Sequence, residues 1–115
     1  MSDQKEVDQF SVQIAAKLND NKYQFDLGLI VIIGSIIIGV LQLLMKCNVF
    51  GRNIEDRIKN PGPLDKILLR KVVKNKLPQE YAELRTEIQE QILSQVKDLS
   101  SESIDAMIKE AKNAG

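Results

Sequence analysis

Asp98, Glu102 and Asp105 stand four and three residues apart, a spacing that sets three carboxylates along one side of a helix, where they would suit a divalent cation. The central glycine and closing glutamate of a calcium loop are missing, so the three read instead as charges around a helix start. Glu80, Glu83, Glu87 and Glu90 follow a helical rhythm of the same kind and read as a solvated face. Cys47 is the only cysteine and the chain has no histidine, which removes an intrachain disulfide and a Cys/His zinc site. Its place just beyond a long apolar run suits S-acylation, with an inert thiol as the plain alternative. No glycine-rich phosphate loop, His-Glu-x-x-His or Gly-x-Ser-x-Gly occurs. The chain is therefore read as non-enzymatic, with no catalytic residue, metal, cofactor or small-molecule substrate expected.

What remains is the chemistry of association. Gly28, Ser35 and Gln42 recur every seven residues and Gly39 follows Ser35 by four, so all four share one side of a helix. Small residues let two backbones approach closely and a glutamine can hydrogen-bond across the contact, which predicts helix–helix packing at this side. The alternative is that glycine and serine are simply common in membrane helices and Gln42 reaches for the nearby interface. Lys66, Arg70 and Lys74, spaced by four, form a basic stripe with Lys71 beside it, placed to hold anionic lipid headgroups. A solvated stripe on a bundle helix is the rival reading. No aromatic residue occurs in 64–76 and no recognised motif is present, so nucleic acid is not an expected partner. Ile88, Ile92 and Val96, then Ile104, Met107 and Ile108, mark apolar stripes suited to another protein subunit or a second copy of the chain.

The element that must position most of this is the run LGLIVIIGSIIIGVLQLLM, residues 27–45, which contains no charge. Its five Leu, six Ile and two Val favour insertion at a membrane centre by about 4–8 kcal/mol, partly offset by the glycines, Ser35 and Gln42. As a helix it would be about 28 Å long, close to the hydrocarbon thickness of a bilayer. A core helix in a soluble domain would need apolar elements around it, which the remaining chain is expected to lack. A cleaved signal peptide would need a basic leader and a small-residue cleavage site, and neither is present: the preceding segment carries Lys5, Lys17 and Lys22 against Asp3, Glu6, Asp8, Asp20 and Asp26. A retained membrane anchor is the expectation.

Charge then sets orientation. Residues 46–76 hold Lys46, Arg52, Arg57, Lys59, Lys66, Arg70, Lys71, Lys74 and Lys76 against Glu55, Asp56 and Asp65, a net of +6 hidden by an overall charge of zero. The positive-inside rule puts this side in the cytoplasm and the acidic N-terminus outside.

Around the span, residues 1–26 read as an amphipathic helix capped at Ser2 or Asp3, with Val7, Phe10, Ile14 and Leu18 on one face, followed by interfacial Tyr23 and Phe25. The membrane helix occupies 27–46, and a hinge at Phe50-Gly51 with the Asn-Pro-Gly-Pro break fills 47–63. A basic amphipathic helix covers 64–77, its apolar side formed by Leu64, Leu68, Leu69 and Val72. Residues 78–115 form an acidic helical hairpin, its second helix capped at Ser101. The expected fold is all-α: one transmembrane helix with short amphipathic flanking helices and a C-terminal hairpin, not an independent globular domain. The expected role is that of a structural or assembly subunit in a membrane-associated complex, such as a lipid-containing virion or an energy-transducing complex. The alternative is a self-associating pore-type protein, holin-like or part of a translocation system.

Overall fold

Each apolar stripe along the chain lies on a helix, and the stripes converge on the apolar run. A computed structural model describes residues 4–18, 26–46 and 53–114. Among them are six α-helices: α1 (Gln4–Lys17), α2 (Leu27–Lys46), α3 (Ile54–Lys59), α4 (Pro63–Lys76), α5 (Arg85–Gln95) and α6 (Ser101–Ala114). Two 3-10 turns, Gln79–Leu84 and Val96–Asp98, flank α5. The capping pair at Ser2 and Asp3, the aromatic residues Tyr23 and Phe25, Cys47 and the Phe50-Gly51 hinge lie outside the described residues.

α2 spans the range read from the sequence and forms the centre of the molecule. α1 packs along it through Val7, Phe10, Ile14 and Leu18, all buried, while α4 and α6 cover other sides and α5 packs on α1 and α4. The radius of gyration is 13.3 Å, against about 13 Å for a compact chain of this length and roughly 34 Å for an unfolded one. This differs from the expected string of separate membrane-bound segments. Single stripes on α1, α4 and α6, each too narrow for a core of its own, together suffice to cover one side of α2, and α5 closes the core behind α1 and α4. Nor do α5 and α6 form a hairpin packed on itself; α6 lies on α2 and α1, and α5 on α4 and α1.

The helix ends follow from local chemistry with one shift. Asn53 caps α3 by accepting from Asp56 N–H at 2.7 Å. Pro63 opens α4 at a position whose N–H would have no helical partner, and Asp65 accepts from Gly62 N–H at 3.0 Å. α6 is capped by Ser100, whose hydroxyl oxygen accepts from Ser103 N–H at 3.1 Å, one residue before the serine expected from the sequence.

Candidate functional site

Both ends of α2 are closed by charge of the favourable sign. At the N-terminus the Asp26 carboxylate accepts from Leu29 N–H at 3.2 Å and, on its other oxygen, from the Tyr81 hydroxyl in a short bond. The Tyr81 hydroxyl first, and Leu29 N–H after it, hold the Asp26 carboxyl below the ordinary carboxylate range. At the C-terminus Arg57 donates from Nη1 to Leu44 O at 3.0 Å, one of the four carbonyls that the helix leaves without a partner. A negative group at the start and a positive group at the end both complement the helix dipole. Arg57 in turn donates from Nε to Asp65 Oδ1 at 2.9 Å, and the pair is buried, at 3% and 8% exposure.

The sides of α2 are unequal. Leu29, Ile33, Ile36, Ile37, Leu41 and Leu44 are buried, whereas Leu27 and Val31 remain 76% and 70% exposed. Two glycines mark the edges of the open strip. A Cβ at Gly34 would stand 3.3 Å from Ser11 Oγ on α1, and one at Gly39 would stand 3.2 Å from Val72 Cγ1 and 2.8 Å from Lys76 Cε on α4. Five residues turn a helix through about 140°, so α1 and α4 form two walls. Between them Val31, Ser35 and Ile38 floor an open groove of about 890 Å³, closed at one end by Asn113 and Ala114 of α6.

Of the four residues expected to mediate helix packing, Ser35, Gly39 and Gln42 line this groove, and Gly28 lies at the start of α2 beside Asp26 and Tyr81. Gly28 and Ser35 are exposed, Gly39 lies beneath Val72 and Lys76, and Gln42 donates from Nε2 to Ala111 O at 3.1 Å. That carbonyl belongs to the last turn of α6, so Gln42 satisfies one of its open acceptors. Their contacts in this structure are with the chain's own helices.

Lys66, Arg70, Lys71 and Lys74 are all exposed along α4. The buried side of α4 comprises Asp65, Leu69, Val72 and Val73, which leaves Leu64 and Ile67 on the outside. The expected apolar side included Leu64; the requirement that Asp65 meet Arg57 turns the helix away from that arrangement. Of the residues expected to meet a partner, Ile88, Ile92, Val96, Ile104 and Met107 are buried in the molecule's own core, and Ile108 is half-buried against it. Asp98, Glu102 and Asp105 are exposed, and no group of three carboxylate or thiol side chains able to hold a metal ion occurs among the described residues.

Three contacts between elements escaped the sequence reading: Arg57 with Asp65, Asp26 with Tyr81, and Glu110 with α1. The Glu110 carboxylate is buried and accepts from Val7 N–H at 3.1 Å, serving the first turn of a helix 103 residues away. Only the first had a signal, opposite charges eight residues apart across a Pro-Gly-Pro turn. A partly open apolar pocket of about 60 Å³, lined by side chains such as Phe10, Leu41, Leu69 and Met107, is too small for a ligand of ordinary size. Comparison with protein-family models, with curated proteins and with solved structures gives no match.

Proposed function

We propose that this chain is a non-enzymatic membrane protein, a structural or assembly subunit of a larger membrane-associated complex, with α2 as its single membrane-spanning element. The observation that carries this reading is α2 itself: twenty residues, with no charge before Lys46, and with Leu27 and Val31 left uncovered by the rest of the chain. It is the helix among the described residues long and apolar enough to cross a bilayer. The basic block of 46–76 supports an orientation with α1 outside and α3 to α6 on the cytoplasmic or inner side. In such a state α1, α4 and α6 leave α2, because Asp8, Lys66, Lys71, Lys109 and Lys112, all exposed, cannot be carried into hydrocarbon on its flanks. Their apolar stripes then become free for partner subunits, which is the assembly role.

A second reading is favoured by the contacts that tie α2 to its neighbours: Gln42 to α6, Arg57 to its C-terminus and Tyr81 to its N-cap. In that reading α2 is the core helix of a soluble bundle. Extraction of native membranes at alkaline pH separates the two. The membrane reading predicts that the chain stays with the pelleted bilayer and that Ile33→Asp releases much of it; recovery of the parent chain in the supernatant would establish the soluble bundle instead.

A further inference from the structure

We propose that the outward face of α4 docks the compact protein on the surface of an anionic lipid bilayer. The core side of this helix is occupied by Asp65, Leu69, Val72 and Val73, which fixes what the opposite side presents. Ile67 and Leu64 project from it, 43% and 44% exposed. At helical spacing Arg70, Lys71 and Lys74 surround Ile67, with Lys66 next to it. These four cations are exposed, and their side chains take no part in an ion pair or hydrogen bond among the described residues. The nearest acid in the sequence, Asp65, is buried and turned to Arg57.

A face of unpaired cations around two projecting aliphatic side chains has a definite complement. Solubility explains the cations and leaves Ile67 and Leu64 without a purpose. A nucleic acid would engage the cations, but residues 64–76 offer no aromatic side chain for a base to stack on. An anionic bilayer takes both at once, its headgroups meeting the cations and its acyl boundary the aliphatic tips. The net charge of −4 in residues 77–115, Glu80, Glu83, Glu87, Glu90, Asp98, Glu102, Asp105 and Glu110 against Arg85, Lys97, Lys109 and Lys112, turns the rest of the protein away from such a surface. Docking of this kind engages the compact form, with α2 still covered by α1, α4 and α6, and needs no insertion of α2, so it goes beyond the function proposed above and does not rest on it.

The test uses the full chain in a Cys47→Ser background, with an environment-sensitive fluorophore on Ile67→Cys and, as control, on Glu87→Cys in α5. Vesicles of phosphatidylcholine alone are compared with vesicles containing one-third phosphatidylserine. Emission at position 67 should shift to the blue only with phosphatidylserine, position 87 should stay unchanged, and 0.5 M salt should reverse the shift. Arg70→Glu with Lys74→Glu, at exposed sites that leave the fold intact by circular dichroism, should weaken partitioning at least about tenfold. An equal response to both vesicles, no response, or undiminished binding of the double variant would overturn the proposal, as would a response at position 67 confined to a DNA duplex. Insertion of α2 survives salt and alkaline extraction, so the two readings fail separately.

Discussion

The contact of Arg57 with Asp65 is costly to break, because both groups are buried and each is the other's opposite charge. Arg57→Ala would leave a buried carboxylate and remove the cation that closes α2, so a loss of about 3–5 kcal/mol in urea unfolding is expected. Replacing both residues, Arg57→Met with Asp65→Leu, should recover much of it, since the pair's attraction does little more than offset its own desolvation. Asp26 makes a different prediction. Its folded pKa is depressed, so its contribution is complete above the ordinary carboxylate value and is lost as pH falls through the folded one. Tyr81→Phe removes the largest cause of that depression. The carboxyl resonance of Asp26 should then titrate at higher pH, and acid unfolding should begin earlier; an unchanged titration would show that the Tyr81 bond is absent in solution.

Among the elements, the close approach of α4 to α2 depends on Gly39. Gly39→Leu places a branched side chain where a Cβ alone would stand 3.2 Å from Val72 Cγ1, and should destabilise the compact form by about 1–3 kcal/mol. Val31→Leu, on the open strip, should change unfolding by less than about 0.5 kcal/mol. Equal effects would mean that α4 does not rest on Gly39. Helical periodicity made α2 and the buried faces of α1 and α6 legible in the sequence, since Val7, Phe10, Ile14, Leu18, Ile104 and Met107 were all marked by it. It did not tell which surface each face would meet. A stripe such as Ile88, Ile92 and Val96 has the same spacing whether it covers a partner or the chain's own α1 and α4. The turn of α4 was hidden for a related reason: an apolar wheel assigns Asp65 to solvent, and only its encounter with Arg57, from another element, reverses that. Glu110 is more remote still, because no local pattern points to the first turn of a helix at the other end of the chain.

As a whole the molecule holds an apolar helix of membrane length inside a body whose outer surface is charged. Burial of one side of α2 by α1, α4 and α6 accounts for the compact shape, and the exposed Leu27 and Val31, with half-buried Ile38 beside them, mark where that shelter stops. Leaving the shelter exchanges one apolar environment for another, so the gain on crossing a bilayer comes from the strip and the half-covered residues, while the hydrogen bonds of Gln42, Arg57 and Tyr81 oppose it. Crossing is decided most directly by which side of the membrane each end of the chain occupies. With Cys47→Ser as background, single cysteines at Gln9 on α1 and Ala114 on α6, both exposed, are treated in intact cells with a membrane-impermeant maleimide. A crossing α2 predicts that Gln9→Cys is labelled at once and Ala114→Cys only after the membrane is opened. Identical labelling of the two positions before permeabilisation, whether both react or neither does, would contradict it.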